Sequence, residues 1–200
     1  MNRLRSSTRA GLLRRLARAV PLERLRHNDR PVYVAEGYGG RPIEHFPPHG
    51  FFRLLAAGEG EAAFAGFCAW YGEQFRKYAG VSKQVGGMQG GTLHRLLAEV
   101  CREAGTVLPA DPRAADPSLL EEAIGRRVRQ RFELLESIRR EGYRAELGKP
   151  VLAVRRGEDA VLLGGHHRAA VQSVLGSEVL PSVSVFQPRA FRALKRLAVV

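Results

Sequence analysis

The sequence predicts an α+β protein, mainly helical in its N-terminal part and built of helix, β-hairpin, glycine-rich turn, helix and strand at its C-terminal end. Two stretches carry the helical half of that reading. From Phe64 to Tyr78, and again from Ile124 to Ile138, apolar residues recur every three or four positions, the period of a helix buried along one face. Beyond residue 150 the pattern changes to short, largely apolar runs with valine at 151–154, 161–163 and 180–186, divided by Gly, Asp and Ser, as strands are. A length of 200 residues with 44% hydrophobic content fits one domain, or a large domain with a small appendage. Disordered, collagen-like and membrane-spanning classes are excluded, because no apolar run approaches the roughly 18–20 residues that cross a bilayer. Two cysteines, Cys68 and Cys101, are too few for a disulfide framework, so a reducing compartment is expected.

In chain order, residues 1–26 form a basic segment with eight Arg and one acid, Glu23, a net +7. Leu12, Leu13, Leu16 and Val20 stand at helical spacing among arginines until Pro21, which predicts a basic amphipathic helix. Arginines interrupt any apolar core, so it is no secretory signal. Three roles stay open: a helix or tail held by the domain, a helix on an anionic membrane surface, or contact with nucleic-acid phosphates. Residues 186–200 carry +4 without an acid, and 27–185 only +1 of the total +12. The basic character therefore belongs to the ends, and the balanced body disfavours DNA binding.

Residues 27–110 read as a mainly helical region with a glycine-rich loop. Residues 32–34 suggest a strand, 51–57 a short helix stopped by Gly58, and 61–78 an aromatic-striped helix closing at Gly80. Phe64, Phe67, Tyr71, Phe75 and Tyr78 are read as core, with Cys68 a small buried hydrophobe. The run from Lys83 through Gly86, Gly87, Gly90 and Gly91 to Thr92 is a mobile turn or an anion-binding loop, but not a P-loop, since GxxxxGK[ST] is absent. Thr92 caps a helix that buries Leu93, Leu96, Leu97 and Val100 and stops at Gly105. Pro109, Asp111, Pro112, Asp116 and Pro117 mark a connector and the expected subdomain boundary near 111.

In residues 111–200, Ser118 and Glu121 have the capping-box spacing and open a helix ending before Gly142. A strand, a turn at 155–159 and a second strand follow. Gly164-Gly165-His166-His167-Arg168 then opens a helix that Gly176 stops. Glycines allow close backbone approach, unpaired N–H groups at a helix start face an anion, and the planar fork of Arg168 suits a phosphate. His166 or His167 adds a proton-sensitive donor near neutral pH, or else one caps the helix and the other packs. No metal site is expected from the adjacent pair, whose side chains diverge on a helix.

The stretches 134–151, 161–170 and 175–183 resemble the motifs of the ParB/sulfiredoxin fold (ParB N-terminal-like) over residues 118–187. The resemblance implies that the 164–168 turn holds the phosphates of a nucleoside triphosphate, ATP or CTP, with Mg²⁺ bridging them. It also implies departures. Sulfiredoxins carry a nucleophilic Cys where His166 stands, so sulfinic-acid reduction is not expected. Kinase-like members have an Asp where Gly164 stands. ParB partition proteins continue into a helix-turn-helix and a dimerisation domain, for which the 14 residues after Phe186 are too few.

Two functions are compatible with this reading. One is a phosphotransferase or NTPase acting on a small molecule or surface-glycan precursor, with His166, His167 and Glu136 as catalytic candidates. Gly164, Gly165, His166, His167, Arg168, Lys83 and Arg131 would hold the nucleotide, with Arg126 a further basic candidate and Glu133 a second candidate carboxylate or solvated helix surface. The other is a non-catalytic, nucleotide-gated module that engages membrane or DNA through its basic N-terminal helix. The expected location is the cytoplasm, or the inner face of the inner membrane.

Overall fold

The computed structural model describes residues 17–28, 40–78, 90–145 and 151–189. The chain is a mixed α+β protein. It divides into two compact units, one formed by Met1–Gly50 with Ser137–Val200 and the other by Phe51–Glu136. The expected boundary near 111 therefore lies inside the second unit.

The first unit is built on a six-stranded mixed sheet. Its strands are β1 (Ala17–Pro21), β2 (Leu25–Asn28), β3 (Gly40–Pro42), β4 (Val151–Arg156), β5 (Asp159–Gly164) and β6 (Val179–Phe186), in the order β1-β6-β4-β5-β2-β3. β4 and β5 form the expected antiparallel hairpin, with Val154 opposite Val161. β6 returns parallel to β4, Val151 beside Val183. A return in parallel needs a crossover, and α5 (His166–Val174) supplies it. Ala169, Ala170 and Val171 on α5 are fully buried, as are Leu25, Val151, Ala153, Leu162, Leu180 and Val183 on the strands.

The sheet overturns one expectation. The helix predicted up to Val20 is absent over residues 17–20, where the chain is the strand β1, antiparallel to β6 with Val20 beside Leu180. The following turn, Leu22–Arg24, leads into β2, which pairs parallel to β5. Helical spacing of Leu16 and Val20 gave way to a long-range partner. Val20, Leu22 and Leu25 are all buried, so this stretch contributes core rather than a membrane-facing stripe. Residues 1–16, the strand expected at 32–34, and most of the glycine-rich loop at 83–92 with Lys83 lie outside the described residues.

The second unit is helical. It holds most of α1 (Pro47–Ala56), all of α2 (Gly60–Tyr78) and α3 (Gly90–Glu103), and α4 (Pro117–Glu141) up to Glu136. Phe67, Tyr71 and Phe75 are buried as expected, with Phe51 and Phe52 meeting Phe67 edge-on at 5.1 Å. Phe64 is a correction: at 37% exposure it lies at the margin, against Phe132. Cys68 is half-buried rather than buried, and partial desolvation pushes its thiol pKa up. Leu93, Leu96, Leu97 and Val100 of α3 are buried.

The capping box is corrected as well. α4 begins at Pro117, and the Asp116 carboxylate accepts from both the backbone N–H and the hydroxyl of Ser118. Asp116 is thus the cap and Pro117 the first helical residue, where its missing N–H costs nothing. Gly142 ends the helix at φ +74°.

Candidate functional site at the 164–168 turn

β5 hands over to α5 at Gly165, which sits at φ +84°. A Cβ there would lie 2.6 Å from Val151 Cγ2. Backbone conformation and space both therefore demand glycine. Gly164 differs, since a Cβ there would meet nothing within 4 Å. The turn needs one glycine, and Gly164 instead leaves open space beside the start of α5. No side chain caps α5 among the described residues, so its first N–H groups carry the partial positive charge of a helix start.

Both histidines of the turn pack against Phe46, with ring centroids at 5.5 Å for His166 and 5.2 Å for His167. Phe46 also holds His27 of β2 at 5.7 Å. His49, on the first turn of α1, places Nε2 3.2 Å from the Ser173 hydroxyl of α5. Four of the six histidines of the chain thus surround one phenylalanine and one short helix. His27 and His49 are buried, at 2% and 8% exposure.

This setting corrects the role expected of His166. Burial, reinforced by His27, lowers its pKa to about 4, against a smaller upward pull from a hydrogen bond with the Leu162 backbone. His166 is therefore neutral at physiological pH and does not switch charge near neutrality.

Arg168 is half-buried and directs Nη1 to the Tyr143 hydroxyl at 3.4 Å. Burial raises the Tyr143 pKa, and Arg168 pulls it the other way. Tyr143 also walls a cleft of about 570 Å³ between the end of α4 and the C-terminal part of α5, with Ile138, Arg139, Gln172, Leu175 and Val179 around it. The cleft is open to solvent and lined by both apolar and polar groups.

The turn thus brings together Gly164, Gly165, His166, His167 and Arg168. Arg131 and Glu136 belong to the second unit. There Arg131 donates from Nε to the Tyr71 hydroxyl at 2.7 Å, and Glu136 is exposed on α4. Glu133 is likewise exposed. Arg126 is not available as a phosphate partner. Glu103 and Glu122 both bind it at 2.6 Å and hold its pKa well above the ordinary arginine value. Among the described residues no group of three or more His, Cys, Asp or Glu is placed to hold a metal ion. Among them, too, no helix is long and apolar enough to cross a membrane.

Phe46, His27, His49 and Tyr143 were not singled out from the sequence. Only the small number of histidines hinted at the cluster, because His27 and His49 lie more than 100 positions from His166. Comparison with family models, curated proteins and solved structures found no match to this chain.

Proposed function

We propose that the chain is a nucleotide-binding protein of ParB/sulfiredoxin-like architecture whose 164–168 turn holds the phosphates of ATP or CTP. The observation that carries this reading is the left-handed Gly165 ahead of an uncapped helix start, with Arg168 in its first turn. In this reading the first backbone N–H groups of α5 would bind the phosphate oxygens and the Arg168 guanidinium, which reaches the Tyr143 hydroxyl, would add its charge. The order helix, hairpin, turn, helix, strand over 117–186 agrees with the resemblance. Mg²⁺, which prefers oxygen ligands and retains waters, would be carried mainly by phosphate oxygens and would neutralise their charge. The cleft at Tyr143 supplies room for a small acceptor, which suits a phosphotransferase or NTPase acting on a small molecule or surface-glycan precursor.

One observation favours a second reading, a non-catalytic nucleotide-gated module. Both imidazoles of the turn are occupied in packing on Phe46, which suits a structural role better than proton transfer. Any membrane contact would then fall to residues 1–16, since 17–28 belong to the sheet and its connecting turn.

Thermal unfolding with ATP, CTP and GTP, with and without Mg²⁺, tests the reading, followed by an assay of phosphate release. A ligand at about 100 times its Kd stabilises the fold by about 2.7 kcal/mol. Arg168→Ala should abolish the shift while leaving the fold intact. Absence of a shift with every nucleotide would sink the proposal, and a shift retained in Arg168→Ala would move the site elsewhere. Release of phosphate separates the enzyme from the gated module.

A further inference from the structure

The helical unit contains two neighbouring arginines that neutral groups hold in place. Most described ion pairs follow one rule: Arg26 meets Asp159, Arg113 meets Asp111, Arg126 meets Glu103 and Glu122, and Arg140 meets Glu141. Arg127 and Arg131, one turn apart on α4, do not follow it. Arg127 directs Nη1 to the neutral amide oxygen of Gln130 at 2.8 Å and lies 6.0 Å from the centre of the Tyr71 ring. Arg131 is fixed through Nε by the Tyr71 hydroxyl. Among the described residues neither has a carboxylate partner.

Both guanidiniums are half-buried, and a third, the exposed Arg95 of α3, adds its positive charge to theirs. Like charges at i and i+4 on a helix repel, and partial burial sharpens the cost because water screens them less. Burial first, then Arg131 and more weakly Arg95, lowers the Arg127 pKa to about 10, with Tyr71 opposing. The group remains charged at neutral pH. Two half-buried guanidiniums on α4, held by neutral hydrogen bonds and with the charge of Arg95 on α3 near enough to act on Arg127, suit an anion that supplies the opposite charge. The cation–π contact with Tyr71 offsets only part of the repulsion.

We infer that Arg127 and Arg131, braced by Tyr71 and Gln130 and with the charge of Arg95 nearby, form a binding site for a phosphate group, separate from the 164–168 turn. This site lies wholly within the second unit and does not depend on the reading of the turn. The phosphate belongs either to a soluble di- or triphosphate or to an anionic lipid headgroup, and the experiment distinguishes the two.

The full-length chain carrying Arg168→Ala, which disables the turn, is titrated calorimetrically with inorganic pyrophosphate at fixed ionic strength. In parallel it is sedimented with phosphatidylglycerol vesicles and with neutral phosphatidylcholine vesicles. Arg127→Met and Arg95→Gln are added singly to that background. Arg127→Met keeps the apolar stem and removes a repelling charge, so its unfolding midpoint without anion should hold or rise. Arg95→Gln changes an exposed residue and keeps the fold out of question. The expected result is pyrophosphate binding that Arg127→Met weakens at least about tenfold and Arg95→Gln weakens less, in line with the loss of a charge-assisted contact. Binding seen only with phosphatidylglycerol vesicles, and lost in the same variants, assigns the site to lipid. The inference is overturned if neither probe binds, or if binding is indifferent to both substitutions. A nucleotide shift lost in Arg168→Ala while this binding persists would separate the two sites.

Discussion

Acidification should destabilise the first unit through His166 in a pH range where carboxylates contribute little. The perturbation is protonation of an imidazole packed against Phe46 and beside His27. Its pKa is about 4 in the folded chain against an ordinary 6.5. The unfolded chain therefore binds the proton first, and stability rises with pH wherever that difference operates. The contribution is complete above about pH 6.5 and is lost as pH falls from there toward 4. Linkage gives a loss of about 2 kcal/mol between pH 7 and pH 5, an upper bound because the residue is partly exposed and solvent screens some of the effect. Urea unfolding of the wild type and of His166→Gln across this range measures it, with the slope m checked for constancy. The wild type should lose about 2 kcal/mol more than the variant over the interval. Parallel stability curves for the two proteins would refute the reasoning, since the pH dependence would then arise elsewhere.

Two further outcomes follow from backbone and capping geometry. Gly165→Ala forces a side chain into left-handed backbone and against Val151 Cγ2, so it should cost about 3 kcal/mol in denaturant unfolding. Gly164→Ala should leave stability nearly unchanged, and equal losses at the two positions would contradict the geometry of the turn. Asp116→Ala should cost about 1 kcal/mol by uncapping α4, with Ser118→Ala costing clearly less; the reverse order would restore Ser118 as the cap.

The C-terminal elements were legible because each announces itself locally. Helical spacing of Val128, Leu135 and Ile138, the short apolar runs of β4 and β5, and Gly142 and Gly176 as stops all act within a few residues of where they stand. The strand at residues 17–21 was not legible. Leu16 and Val20 fit a helical period, and the pairing that overrides it comes from Leu180 and Val183, some 160 positions away. The site divides in the same way. The glycine turn and Arg168 could be read from sequence, whereas the Phe46 hub with His27 and His49 exists only once β2 and α1 are in place. Local reading also spread the need for glycine over both residues of the turn, when only Gly165 has Val151 against it.

The interruption of the first unit by residues 51–136 orders events during synthesis. β1 and β2 leave the ribosome early, yet among the described residues β1 pairs only with β6, and β2 needs β5 beyond its short partner β3. At about 5–20 residues per second, those edges wait roughly ten seconds for their partners while the helical segment, contiguous in sequence, is able to collapse first. Arg18, Arg24 and Arg26 sit on and between the waiting strands. Charge at such positions disfavours edge-to-edge pairing between nascent chains.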